Sequence, residues 1–294
     1  MIPLAALPLG AGSGLIDAAV NAHVSLNRGV RYMGWLHASW ALGAALGPQA
    51  IVIALAATGS WRAAFVVMAG AFLGIGLVVG ARRADWTGGS SNETRPAQPE
   101  RGGGSRYRRA LLLLAGLFLI GAGLEATAGD WSYTQLTVGR SMPADLASWS
   151  ASLFWAGLAG GRVALGLFGH RVSPVRLLDL GVGTAMLAAV GFWLAPPLVA
   201  AFIALPILGI AVSLIFPLLL SLTPERVGTA MTSHTVGYGL AAGNIGAGGI
   251  PAGAGLVLQS VGVLALGPIL AVLAVVMALL HAVSRLGDRG RQSL

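Results

Sequence analysis

In this chain of 294 residues 56% are hydrophobic and only 10% charged, and mean hydropathy is +0.80; an ordinary soluble domain carries roughly a quarter charged residues, so that class is excluded. The net charge of +8 comes from arginine alone, set in short connections between apolar runs and not on a basic face interleaved with aromatics, which excludes a nucleic-acid binder. The chain has no cysteine, hence no disulfide or thiolate metal site; no spacing suits a P-loop, a zinc site or a nucleophile elbow, so neither an enzyme nor a cofactor is expected.

Segments apolar enough to cross about 30 Å of hydrocarbon, which takes roughly 20 residues each, run over 3–24, 33–57, 61–81, 110–136, 147–168, 177–195, 198–221, 229–257 and 263–284. This pattern predicts an all-α polytopic membrane protein of about nine transmembrane helices. Between the third and fourth segments lies RRADWTGGSSNETRPAQPERGGGSRYRR, which holds seven of the eighteen arginines. Such a stretch neither enters a bilayer nor builds a core. It divides the chain into a partial N-terminal bundle at 1–81, a linker at 82–109 and a C-terminal bundle of six helices at 110–294. Counted over the connections, fifteen arginines lie on the side of this linker and only Arg62 and Arg140 on the other. The bias places linker and C-terminus in the cytoplasm and Met1 outside.

Charges inside the hydrocarbon cost at least about 2.5–3.5 kcal/mol at its centre on insertion scales, so each is a functional candidate. In the first helix Gly10, Gly14, Asp17 and Asn21 share one stripe. Asp17 is expected to face protein or a water-filled cavity, whether to take a proton or to bond a neighbouring helix. In the second, His37 and Trp40 share a stripe with Ala44 and Gly47, and the histidine suits proton movement, solute binding or a satisfied core position alike. The fourth helix carries Glu125 near its middle, with Asp130, Trp131, Tyr133 and Gln135 toward its outer end. That density suits a cavity for a polyhydroxylated solute, or an interfacial aromatic belt. Trp155 and Asn244 are further cavity candidates, whereas His23, His170 and His281, near helix ends, are expected to carry no role. Small residues one turn apart at Gly10/Gly14, Gly43/Gly47, Gly239/Gly243 and Gly249/Gly253 predict close helix contacts, and Pro251 in the Gly-rich eighth helix predicts a bend.

The segments GSGLIDAAVNAHV, YMGWLHASWALGAALGP, GLEATAGDWSYTQL, FWAGLAGGRVALGLFGHRVSP and ILGIAVSLIFPLLLSLTPER resemble, in that order, transporters of the major facilitator superfamily, in its fucose-permease-like branch. The resemblance implies a twelve-helix fold of which this chain supplies helices four to twelve, with the Arg-rich linker as the central loop and three N-terminal helices lacking. It implies that Gly14, Asp17 and Asn21 match a pattern, G-x-x-[DE]-x-x-x-N, that serves proton coupling and substrate binding, and that His37 and Trp40 line the cavity. It also implies that Gly161, Arg162, Gly166 and Arg171 form the C-terminal copy of a cytoplasmic gating motif, with Asp179 as an available acidic partner. The function implied is secondary transport in a bacterial inner membrane by alternating access: proton-coupled symport of a sugar or similar small polar solute. Its partners are then that solute, protons and the lipid bilayer. An efflux carrier for drugs, and a truncated membrane protein that transports nothing, are the alternative readings.

Overall fold

The computed structural model describes residues 2–82 and 104–292, and among these the chain is helical, without a strand. Nine long segments follow one another: α1 (Ile2–Asn27), α2 (Val30–Thr58), α3 (Arg62–Ala81), α4 (Gly104–Thr134), α5 (Ala144–Phe168), α6 (Pro174–Leu194), α7 (Pro197–Val227), α8 (Thr229–Val261) and α9 (Leu266–Gln292). Seven of them, α3 to α9, are long and apolar enough to cross a membrane. The helices α1 and α2 have 26 and 29 residues, beyond the roughly 20 that a span needs. Most of the expected linker lies outside the described residues. Where description resumes, α4 already begins at Gly104 and takes Arg106, Arg108 and Arg109 into its first turns, six residues ahead of the expected start at 110. The long aliphatic stem of arginine can lie along such a helix end while its head stays wet.

Proline and glycine set the irregularities. Helix α7 opens with a single turn, widens into a π turn over Ala200–Ala204 and continues as α-helix from Leu205. Pro206 explains the widening: it has no N–H to offer the carbonyl one turn back, and its ring crowds that carbonyl. The carbonyl of Ala201, inside the widened turn, accepts from Ser150 Oγ of α5 at 2.7 Å. Only Gly228 separates α7 from α8, at φ 82°, a conformation that glycine adopts without steric cost.

By packing the described residues fall into two compact units, one of residues 1–38 with 101–294 and one of residues 39–100. In the first, α4 runs beside α8 in the same direction, and α5 likewise beside α7. Both pairs approach closely through glycine. A side chain at Gly246 would meet the backbone of Leu119, and one at Gly157 would lie 2.7 Å from the carbonyl of Pro206. Glycines 161 and 209 give α5 and α7 the same intimacy. This is the means of association expected in lipid, where no hydrophobic force pulls helices together and van der Waals contact must. It occurs at other positions than expected, however. Of the predicted pair members whose surroundings are described, Gly239 and Gly243 meet a neighbour, receiving the rings of Phe118 and Phe216, while Gly10, Gly14, Gly43, Gly249 and Gly253 face open space; the surroundings of Gly47 lie outside the described residues. In the second unit α3 buries Ala64 alone, and Phe65, Val66, Val67, Phe72, Leu73 and Ile75 are exposed, as suits a helix apolar on every side.

Candidate functional site

Glu125 on α4 and Arg162 on α5 meet within the helical spans. Gly129, one turn beyond Glu125, has no side chain, and the indole of Trp155 occupies the space: a Cβ there would lie 2.5 Å from its ring. Seven residues after Trp155, two turns along α5, Arg162 reaches back across the groove. Its Nη2 donates to both Glu125 oxygens, Oε1 and Oε2, at 3.3 Å each. The side chains are 5% and 17% exposed, so neither charge is solvated by bulk water. Removing one partner of such a pair costs about 3–5 kcal/mol, because the other is left as an isolated buried charge.

His37 lies on the part of α2 that belongs to the same unit. Its ring stands edge-on to Phe216 of α7 at 5.5 Å, and Phe216 in turn to Phe118 of α4 at 4.9 Å. Its Nε2 is buried without a hydrogen-bond partner, and the charge of Arg162 acts on it directly. Buried polar atoms are normally paired, so a nitrogen left open in this way calls for an explanation. The structure thus brings together three residues that the sequence singled out for different reasons: His37 and Glu125 as cavity residues and Arg162 as part of a gate.

Asp17 and Asn21 sit one turn apart on α1, on the stripe that their spacing predicts. Asn21 Nδ2 donates to the backbone carbonyl of Asp17 at 2.8 Å and to its carboxylate Oδ1 at 2.7 Å. Asn21 is buried and Asp17 exposed. Asp130, Asn244 and Trp40 are exposed too, Trp40 as part of the second unit. Trp131 anchors helices: its Nε1 donates to the carbonyl of Pro251 at 3.0 Å and its ring fills the space at Gly255, binding α4 to α8. Trp155, as described, covers Gly129 beside the ion pair.

Among the residues assigned to gating, Gly161 lets α5 pack against Ser213 and Ile210 of α7, and Gly166 lets it meet α2. At Gly34 a Cβ would lie 2.5–2.8 Å from the backbone of Gly166, and Trp35 packs on Gly166 from the same turn. Near this crossing Ser25 Oγ of α1 donates to the carbonyl of Leu220 at 2.6 Å, and Val30 packs against Gly169. The start of α2 is therefore tied to the end of α5 that adjoins the Gly169–Ser173 connection, and the end of α1 to α7. Asp179 does not serve Arg171. Its Oδ1 lies 2.6 Å from His281 Nε2 and its Oδ2 3.3 Å from Arg285 Nη2, both on α9, while Arg171 is exposed and stands 5.2 Å from the ring of Phe168. His281, expected to carry no role, is thus a structural partner of Asp179. A histidine and an arginine one turn apart on the last helix, matching an acid near the start of α6, are the signal that was there to read.

On the opposite side, half-buried Arg140 closes the end of α6. Nη1 donates to Ala195 at 2.9 Å, and Nη2 to Phe192 at 2.5 Å and to Trp193 at 3.0 Å, satisfying carbonyls that a helix C-terminus leaves open. Burial lowers the pKa of this guanidinium, which stays cationic all the same.

Compared with known protein families, the chain matches the Major Facilitator Superfamily model over residues 2–251. Neither a curated protein nor a solved structure matches it.

Proposed function

Because the chain belongs to the major facilitator superfamily, a family of secondary transporters embedded in the membrane, we propose that it is a proton-coupled symporter of a sugar or similar small polar solute. The observation that carries this reading is the Glu125–Arg162 pair, buried within apolar helical spans beside the open Nε2 of His37. A pair of this kind is of little use as a brace, since well-packed apolar residues of similar volume often serve stability equally well or better. It is of use where one member changes protonation and the change alters which conformation is favoured. Aromatic and hydrogen-bonding groups around it suit a solute with apolar ring faces and hydroxyls. Asp17, bonded to Asn21, is a second carboxylate able to take a proton.

The contacts of Gly34 with Gly166 and of Ser25 with Leu220 support a gate closed at this end, where small residues let helices part and rejoin without unpicking a jigsaw. The arginine distribution supports a bacterial inner membrane with this end, the linker and the C-terminus in the cytoplasm.

The test is accumulation of radiolabelled sugars by vesicles containing the protein under an imposed pH gradient, set beside a drug-susceptibility profile of cells that express it. Symport predicts sugar uptake that collapses with the gradient and with Asp17→Asn or Glu125→Gln. Drug resistance without sugar uptake means efflux instead.

A further inference from the structure

Two segments far apart in the chain bring arginines to one corner of the larger unit. The entry to α2 carries Arg28 and Arg31, and the exit of α5 carries Arg171; all three are exposed. Packing at backbone distance joins these ends. A Cβ at Gly34 would lie 2.5–2.8 Å from the backbone of Leu165 and Gly166, and one at Gly169 would lie 3.1 Å from Cγ1 of Val30. Arg31 follows Val30 directly and Arg171 stands two residues past Gly169, so both leave the chain beside the same contact.

The contacts of these guanidiniums within the protein are with rings. Arg28 stands 5.3 Å from the ring centre of Tyr32 and Arg171 5.2 Å from that of Phe168. Among the described residues none of Arg28, Arg31 and Arg171 is paired with a carboxylate, and Asp179 is held by His281 and Arg285. The linker carries seven arginines against three acids, so it brings further positive charge to this side. The complement of such a corner is an anion from outside the chain.

Depth selects which anion. Trp35 follows Arg31 by one turn, about 6 Å along the axis, and Phe168 precedes Arg171 by three residues. On both segments the arginine therefore lies toward the connection and an exposed ring toward the span. Trp35 also covers Gly166, so its ring lies over the joint between the two helices. A soluble phosphate uses only the polar level. A phospholipid uses both: guanidinium N–H groups donate to its phosphate oxygens, and its acyl chains lie along the aromatic level.

We propose that this α2–α5 corner binds an anionic phospholipid, with Arg28, Arg31 and Arg171 on its phosphate and Tyr32, Trp35 and Phe168 against its acyl chains. Such a site requires only that the chain lie in a membrane; it serves in either leaflet and for any carried solute. A net charge of +8 also draws anionic lipid diffusely to every basic helix end. Position separates a site from that background.

Nanodiscs of phosphatidylcholine that contain the full chain and a small fraction of phosphatidylglycerol with brominated acyl chains provide the test, because bromine quenches tryptophan on contact. Brominated phosphatidylglycerol is expected to quench more than brominated phosphatidylcholine at the same fraction, and Trp35→Phe to remove most of that excess. Arg28→Gln/Arg31→Gln/Arg171→Gln should weaken phosphatidylglycerol association about a hundredfold and abolish the excess, and Arg171→Gln alone should weaken it about fivefold. Arg106→Gln/Arg108→Gln/Arg109→Gln removes the same three charges from the start of α4 and should leave the excess nearly whole. All six arginines are exposed, so both triple variants should melt within a few degrees of the parent. Equal loss from the two triple variants, or an excess that neither of them reduces, means diffuse attraction and overturns the proposal. So does an excess untouched by Trp35→Phe. Displacement of the lipid by inorganic phosphate, at an ionic strength matched with chloride, overturns it as well, because the rings then contribute nothing.

Discussion

Two clusters of opposite charge lie in the larger unit of this chain, and they differ in almost everything except residue type. Glu125 and Arg162 sit deep in α4 and α5, the more exposed partner showing 17% of its side chain. Asp179, His281 and Arg285 sit at the ends of α6 and α9, where the carboxylate is 40% and the arginine 29% exposed. At the helix ends water and salt share the work of stabilising the Asp179 and Arg285 charges, although His281 is itself buried, so the cluster is a modest tie between helices. In the interior each charge depends on the other, and a change in one is felt in full by its partner. The lesson is that location, and not the mere presence of ionisable groups, decides how strongly each charge depends on its partner.

Substitutions sharpen this contrast, beginning where the effect is greatest. Glu125→Ala should lower unfolding stability by about 3–5 kcal/mol, measured by denaturation in mild detergent, and the neutral double substitution with Arg162→Gln should recover most of the loss. If Glu125→Ala is as mild as a change at Asp179, burial is not what distinguishes the clusters. Next is the clamp that holds α4 in place. Gly246→Leu forces a side chain against the Leu119 backbone and should destabilise by about 1–3 kcal/mol or more. At Gly249, which faces open space, the same change should be nearly silent. Smaller again is Arg140→Gln, which strips three carbonyls of their donor and should cost about 1–2 kcal/mol, read from the same melts. Least of all, Asp179→Asn should shift stability by about 0–1 kcal/mol and leave solute binding as it was.

The spans themselves were plain in the sequence, because an apolar run long enough to cross a bilayer has few other uses. All nine expected segments correspond to long helices, although α4 starts earlier than hydropathy suggests, since an arginine-bearing first turn reads as polar while remaining helical. Glu125 stood out because hydrocarbon makes any acid conspicuous. Its partner was visible as a residue but not as a partner: nothing local says that Arg162 meets α4 and not a neighbouring helix end, and the position of Trp155 over Gly129 that brings α4 and α5 into register is a tertiary fact. Asp179 was legible only as an available acid for the basic side chains of the motif, and its actual contacts were not, for a related reason. Proximity along the chain is a poor guide when the true partners, His281 and Arg285, lie a hundred residues away. Glycine pairs were equally ambiguous, since several spans carry more than one and only contact selects those that matter.

The π turn at Ala200–Ala204 has a geometric corollary. One surplus residue advances a helix by about 100°, so the two stretches of α7 on either side of it are out of phase. Leu198 and Val199 accordingly look away from the bundle, while Gly209 and Ser213 further along are aimed at α5. Deleting a single residue there would swing the leading stretch around by the same angle, turning its outward side inward, with Pro206 as the pivot that keeps this offset in place.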